Sequence, residues 1–443
     1  MSAITSISRN SELRKRILFT LAMLAIYRIG VHVPTPGVDS NAVLSYFSSQ
    51  SRGIFALFDT FSGGALSQFS VFALGIMPYI SASIIFQLLT SAVPALEQLK
   101  KEGEQGRRKI TQYTRYATVL LAIIQGYGIS TWLQNTPSPD GRPLVHSPMV
   151  AFLPFEVMTI ITLTAGTCFI MWLGEQMTER GVGNGTSLII FSGIAAAIPS
   201  GARQIYELTV NGEMRFIVAL LLVAFMVAVI AGVIYMEVAQ RRIPVQYSQR
   251  SQAGPQAMSA PSTHLPVKIN FSGVIPPIFA SSLLMFPATM AQFFQDAPPW
   301  LRSIQDSLNP NGVIFNLMFV ALIVFFSFFY TEIVFNPNDV ADNLKKYGGF
   351  IPGVRAGKST SDYIQRVLDR VNVLGCIYLS VVCILPGVLT SQFNIPFHFG
   401  GTSLLILVGV GLDTAQQIQS HLITQKYEGF MKGAKLRSRR VQF

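Results

Sequence analysis

The sequence predicts an all-α integral membrane protein with ten transmembrane helices. Half of its 443 residues are hydrophobic and only 12% are charged, whereas soluble domains carry about 25% charged residues. A spanning helix needs about 20 apolar residues, and ten segments approach that length. These segments lie at roughly 17–35, 69–91, 115–134, 152–173, 185–201, 215–236, 271–294, 313–335, 371–389 and 400–420.

The distribution of lysine and arginine predicts the orientation of these spans. Cytoplasmic loops carry an excess of basic residues, and an even number of spans leaves both termini on one side. That side holds most of the 33 basic residues. Since the opposite loops hold only Arg52, Arg142, Arg203, Arg215 and Arg302, we expect both termini in the cytoplasm. The net charge of +11 is explained by this topology, and no nucleic-acid recognition motif accompanies it.

The spans and loops divide the chain into two halves. We predict a cytoplasmic N-terminal segment at 1–16, five helices within 17–201, an outer connection at 202–214, five helices within 215–420 and a basic cytoplasmic tail at 421–443. Two long cytoplasmic loops, 237–270 and 336–370, carry the most varied chemistry and favour a cytoplasmic partner. The glycine pairs in FSGGALS and FGGTSLL give only weak support for a repeat of the kind that transporters use.

The stretch FDTFSGGALSQFSVFALGIMPYISASIIFQLL, residues 58–89, does not resemble one ordinary span. Its second half is apolar, but its first half carries polar residues and is interrupted at Gly63 and Gly64. Non-spanning backbone is tolerated at membrane depth only when it is buried in protein or lines a wet cavity. From the residues alone, this half-helix is either such a buried element or an outer loop on the surface.

Enzymatic chemistry finds little support in the sequence. The three cysteines, Cys168, Cys376 and Cys383, lie in apolar segments and indicate neither disulfides nor a metal site. The GKST at 357–360 lacks the glycine spacing of a phosphate loop. We therefore predict a protein that is not an enzyme and that uses no cofactor or metal ion.

A secondary transporter for a small solute is the alternative to a channel. A broken helix and possible repeats fit that class, but few ionisable residues lie within the spans, where coupled transporters usually need them. Arg28 is the main exception. We expect its long side chain to snorkel toward an interface rather than to act in transport.

Several stretches carry a specific resemblance to a known family. They are FSGGALSQFSVFALGIMPYISASII, KKEGEQGRRKITQYTRY, WLGEQMTERGVGNGTSLIIF, STHLPVKINFSGVIPPIFASSLLMFPA, FYTEIVFNPNDVADNLKKYGGFIPGVRAG and FGGTSLLILVGVGLD. The chain resembles the bacterial SecY family of protein-conducting channel subunits from about residue 11 to the tail. This implies two pseudo-symmetric five-helix halves around a central pore for unfolded polypeptides. Thr186 and Pro277 depart from residues common in the family.

The resemblance implies two barriers in the pore. One is a re-entrant plug helix near 54–68, and the other is an apolar ring that can exclude water and ions while yielding around a chain. Ile76 and Ile80 are four apart and share a helix face, with Pro78 as the expected bend. The implied plug residues are Phe58, Phe61, Ser62, Gly63, Gly64 and Leu66. The implied ring residues are Ile76, Ile80, Ile190, Ile278 and Ile406.

The resemblance also implies a lateral gate through which transmembrane segments reach the lipid. It lies between spans two and three on one side and spans seven and eight on the other. Polar side chains inside a membrane can hydrogen-bond across helices, at roughly 0.6–2 kcal/mol each, and we expect such bonds to hold the gate shut. Pro276 and Pro277 suggest a deformable seventh span. The implied gate residues are Ser83, Gln87, Gln125, Asn270, Ser281 and Ser282.

The partners implied by the resemblance are small SecE-like and SecG-like membrane subunits, the SecA motor ATPase, the ribosome, signal sequences, unfolded polypeptides and the lipid bilayer. Arg241, Arg242 and Arg355 are the predicted docking residues, because a guanidinium group binds carboxylates and phosphates bidentately. The implied location is the bacterial cytoplasmic (inner) membrane, with the energy for transport supplied by a partner or by the membrane potential.

Overall fold

A computed structural model describes residues 11–49, 54–136, 143–145, 149–150, 153–212, 214–247, 263–293, 312–393 and 400–440. Within these residues the chain is mainly helical. The helices are α1 Ser11–Val31, α2 Ser40–Ser49, α3 Ile54–Ser62, α4 Met77–Ala92, α5 Pro94–Lys101, α6 Glu104–Asn135, α7 Phe155–Arg180, α8 Gly185–Val210, α9 Phe216–Val238, α10 Ile275–Phe293, α11 Val313–Val334, α12 Pro337–Lys346, α13 Lys358–Phe393 and α14 Gly401–Arg440. The strands are β1 Met149–Val150, β2 Leu153–Pro154, β3 Gln240–Tyr247, β4 Thr263–Lys268 and β5 Gly349–Phe350.

Each of the ten predicted spans overlaps one of these helices, although the span predicted from residue 69 begins as a helix only at Met77. By length and composition, α6, α7, α8, α9, α11 and α13 could each cross a membrane, and α4 with α5 counts as a seventh if that pair, bent by 97°, is one span. The exposed apolar surface of α9 fits contact with lipid, since Phe216 and Ile217 are 70% and 69% exposed. The connection predicted at 202–214 is shorter in the structure, because α8 continues to Val210 despite Pro199.

Three prolines of the predicted pore and gate helices, Pro78, Pro276 and Pro277, lie in first turns of helices. Pro78 is the second residue of α4, whose N-cap is Ile76, and at this position the missing backbone N–H would have no helical partner in any case. The predicted bend at Pro78 is therefore wrong. Pro276 and Pro277 likewise fall in the first turn of α10, and the proline inside that helix is Pro287.

The start of α8 is fixed by a side-chain cap. The Asn184 side chain accepts hydrogen bonds from the backbone of Thr186 and Ser187, as an N-cap residue does, and also from Thr186 Oγ1 at 2.7 Å. The turn before α8, at residues 182–183, is hydrogen-bonded to helices of both halves of the chain. Thr20 of α1 accepts from Val182 N at 3.1 Å, and Gln417 of α14 accepts from Gly183 N at 2.9 Å.

The helices of the two halves share one buried hydrophobic cluster. Helix α10 packs against α4 and α6 of the first half as well as against α11 of its own half, and α14 packs against both α8 and α13. Helix α3 contacts α8 and α10. The half-helix identified in the sequence therefore lies inside the bundle, between elements of the two halves.

The two long loops fold together into a small sheet. Strand β3 pairs antiparallel with β4 on one edge and with β5 on the other. Its inner face and α13 enclose a second hydrophobic cluster, which includes Ile243, Val245, Ile351 and Ile364. The loops predicted as docking surfaces are thus ordered elements where the structure describes them.

Candidate pore, plug and lateral gate

Two glycines end α3 and reverse the chain. Gly63 has a φ of +69°, a left-handed conformation that glycine adopts at little steric cost. Gly63 N donates to Thr60 O at 3.3 Å, and Gly64 N donates to Asp59 O at 3.0 Å. These are the two bonds of a Schellman motif. The interruption seen in the sequence is therefore a defined helix end, and we call residues 54–68 the plug segment.

Side chains of α3 hold the turn that follows it. Asp59 Oδ1 accepts a hydrogen bond from Ser67 N at 2.8 Å, and Ser62 Oγ accepts one from Leu66 N at 3.3 Å. Phe58, Phe61 and Leu66 are at most 6% exposed, and Ser62 is fully buried. The plug segment therefore combines an apolar surface with an internally bonded polar turn.

Two residues of α1 bind the backbone carbonyls at the C-terminal end of α3. Tyr27 Oη donates to Ser62 O at 2.8 Å, and Arg28 Nη1 donates to Gly63 O at 3.0 Å. The Arg28 guanidinium group, which the sequence predicts to snorkel toward an interface, is thus bound to a backbone carbonyl.

The five predicted ring isoleucines are all buried in the cluster that both halves share. Ile76, Ile190 and Ile406 are at most 2% exposed, and Ile80 and Ile278 are 7% exposed. Phe58, Phe61 and Leu66 of the plug segment belong to the same cluster. The ring and plug residues are thus members of one large buried hydrophobic cluster that spans both halves.

Five of the six predicted gate residues lie on α4, α6 and α10, which pack together, and Asn270 lies in the loop before α10. Gln87 Nε2 donates to Ser83 Oγ of the same helix at 3.4 Å, and Ser281 Oγ donates to Ile278 O at 2.9 Å. Asn270 Nδ2 donates to Glu237 Oε1 of α9 at 2.6 Å.

Two gate residues are buried with an unpaired oxygen. Gln125 and Ser282 are 4% and 2% exposed, and neither Gln125 Oε1 nor Ser282 Oγ has a hydrogen-bond partner among the described residues. The expected bonds across the gate are therefore not found in the described part of the chain.

The predicted docking arginines are exposed on the small sheet and the loop beside it. Side chains alternate along a strand, and Ile243 and Val245 of β3 are buried. Arg242 therefore lies on the opposite face of β3 from Arg241. Arg355 lies in a tight turn between Gly353 and Gly357, whose φ values are +80° and +103°, and its carbonyl accepts from Thr360 Oγ1 at 2.9 Å.

Sequence reasoning missed three residues that contact or shape the plug segment, namely Tyr27, Asp59 and Gly193. A Cβ on Gly193 of α8 would lie 2.8 Å from Gly63 Cα, so the two backbones are in direct contact. Arg28 was the one sequence signal for these contacts, because it is a charged residue within an apolar span. Its binding partner is distant in the chain and could not be identified from local sequence.

Comparison with known proteins decides the family. The SecY family model matches residues 70–415. The SecY translocase subunit of Aquifex aeolicus is 46% identical over 422 residues, which cover 95% of this chain and 97% of the relative. The subunit of Escherichia coli K12 is 48% identical over 429 residues, 96% of this chain and 95% of the relative.

This chain belongs to the SecY family. The predicted function, a protein-conducting channel subunit rather than an enzyme, is thereby confirmed, and the alternative of a small-solute transporter is excluded. A multi-pass membrane protein follows from the same membership and from the apolar helices.

Solved structures confirm the fold of this SecY-family chain. A structure described as a protein-conducting channel has a TM-score of 0.67 at 16% identity and covers 95% of this chain and 97% of its own. Sec61 in a canine ribosome–channel complex has a TM-score of 0.65 at 16% identity, with the same two coverages.

Proposed function

We propose that this SecY-family protein closes its pore with two barriers in series, the plug segment and the isoleucine ring, and opens both for unfolded polypeptides. The support is the common burial of Phe58, Phe61 and Leu66 with the five ring isoleucines in one cluster. The barriers act differently. The plug segment occupies volume, whereas the ring forms a narrow neck without polar groups that could replace the hydration of an ion.

The lateral gate lies where α10 meets α4 and α6. Gln125 and Ser282 support this location, because each is buried with an unpaired oxygen. An unpaired buried polar group costs about 1–3 kcal/mol, so separation of these helices, or entry of a polar backbone or side chain, removes a penalty. The closed gate is held by apolar packing and is weakened by these polar groups.

The partners of the channel bind on the cytoplasmic side. Arg241, Arg242 and Arg355 are exposed guanidinium groups that fit carboxylates of the SecA motor and phosphates of ribosomal RNA. The ribosome-bound Sec61 relative supports ribosome docking. SecE-like and SecG-like subunits complete the complex, and signal sequences open it. The protein lies in the bacterial cytoplasmic membrane with both termini in the cytoplasm, as the basic residues of its loops favour.

Reconstitution into proteoliposomes tests this function. The channel, purified with its co-purifying small subunits, should translocate an unfolded precursor when SecA and ATP are supplied, and the resting vesicles should hold an ion gradient. A precursor without its signal sequence is the control. Failure to translocate any precursor while the motor and subunits are bound would contradict the proposal.

A further inference from the structure

Some backbone carbonyls at the C-terminal end of α3 accept hydrogen bonds from residues outside the plug segment. The last four carbonyls of a helix have no partner within it, and here the Schellman motif uses those of Asp59 and Thr60. The carbonyl of Ser62, the last residue of α3, accepts instead from Tyr27, and that of Gly63, the next residue, accepts from Arg28. We propose that Tyr27 and Arg28 are positioning residues that latch the plug segment in its closed place, an inference that rests on the proposed role of that segment.

The Tyr27 contact is enclosed by protein on both sides. Tyr27 is 1% exposed and Ser62 is fully buried, so neither the hydroxyl nor the carbonyl can turn to water instead. The Tyr27 ring stacks on Phe72, with centroids 5.9 Å apart and planes at 9°. Because packing fixes the ring, the hydroxyl is aimed at Ser62 O, and removing it leaves a buried acceptor unpaired.

Arg28 adds a charge to the same contact. The C-terminal end of a helix carries a partial negative charge, which a cation stabilises. Arg28 forms no ion pair with any carboxylate among the described residues. Its described side-chain bond goes to Gly63 O, so the helix end is the group that receives its charge.

The chain after α1 holds the other end of the plug turn. Thr35 N donates to Phe69 O at 3.0 Å, and Val71 N donates to Val33 O at 2.9 Å. Helix α1 and its following loop thus bind the chain both before and after the turn at 63–68. A shift of α1 relative to α8 and α10 would therefore carry the plug segment with it.

The hydrogen-exchange rates of backbone amides in the plug segment, measured on the purified complex, test the latch. Tyr27→Phe and Arg28→Met should each speed exchange of the plug amides, including Gly64 and Ser67, roughly tenfold, equivalent to about 1.4 kcal/mol. Arg28→Lys keeps the charge and a donor and should stay closer to the parent. Amides of α7 should exchange at the parental rate in all three variants, because a latch acts locally.

Two matched controls isolate the contacts. Tyr235→Phe removes a hydroxyl from a residue that is 76% exposed, and Arg14→Gln removes an exposed charge from the same helix as Arg28; both should exchange as the parent does. The latch is overturned by parental plug exchange in both Tyr27→Phe and Arg28→Met, or by faster exchange throughout the bundle. A parent that fails to translocate precursor would instead defeat the proposed function, independently of these exchange rates.

Discussion

Gly63 of the plug segment and Gly193 of α8 pack backbone against backbone. A Cβ built on Gly63 would lie 2.7 Å from Gly193 Cα, and one built on Gly193 would lie 2.8 Å from Gly63 Cα. Gly63 also requires its left-handed φ of +69°. The contact therefore depends on the absence of a side chain at both positions. At Gly193 the reason is the close approach of the two backbones, and at Gly63 the left-handed φ is a second reason.

Gly193→Ala should displace the plug segment while leaving the helix intact. Overpacking a buried contact by a methyl group costs about 1–3 kcal/mol, and alanine itself favours a helix over glycine. We expect a larger resting ion leak in planar bilayers and faster exchange of the plug amides. Gly232→Ala in α9 is the control, because its added Cβ meets no atom within 4 Å. Equal leak in the two variants would show that the glycine contact does not position the plug segment.

Two replacements of the ring isoleucines test separately whether the width of the pore neck or its hydrophobicity holds back ions. Replacing Ile80 and Ile278 with glycine should widen the neck, and replacing them with serine should also make it wettable. Each pair combined with deletion of 58–68 should give the largest steady single-channel conductance and should relax the need for a strong signal sequence. The pair replaced with leucine is the control, since it keeps an apolar side chain of similar volume. A combined serine variant that conducts no more than the parent would place the pore elsewhere.

Cysteines at Ser83 and Ser281 should report on the lateral gate. Helices α4 and α10 pack together, so Ser83→Cys and Ser281→Cys should crosslink with an oxidant or a short bifunctional reagent once Cys168, Cys376 and Cys383 are replaced. Locking them should block insertion that depends on a signal sequence, and reduction should restore it. Each single-cysteine variant is a control. If the double variant never crosslinks, these faces do not meet in the membrane.

Charge reversal at Arg355 should impair docking alone. The residue is exposed on a turn set by Gly353 and Gly357, so Arg355→Glu should weaken SecA-driven translocation while membrane insertion and complex assembly remain normal. Arg215→Glu, an exposed arginine next to the start of α9, is the matched reversal and should translocate as the parent does. Normal SecA-driven translocation by Arg355→Glu would remove this residue from the docking surface.

Local features could be predicted wherever local chemistry decides them. Asn184 begins α8 because its side chain caps free backbone N–H groups, and the glycine pair at 63–64 ends α3 through bonds only a few residues long. Pro78 was misjudged because the effect of proline depends on its place in a helix, which the sequence left uncertain by several residues. The ring isoleucines could be selected only by resemblance, since a buried isoleucine looks the same in any apolar helix.

The sequence by itself determined the membrane class, the ten helical segments and the family, because hydrophobic length and the order of motifs are properties of the chain. Only the tertiary structure decided what the buried polar groups bind. Arg28 and Gly63 are 35 positions apart, and Gly63 and Gly193 are still further apart, yet each pair is in contact. No periodicity encodes such pairs. They arise because the carbonyls of a buried helix end must be paired, and the helices that pack around α3 decide which side chains can reach them.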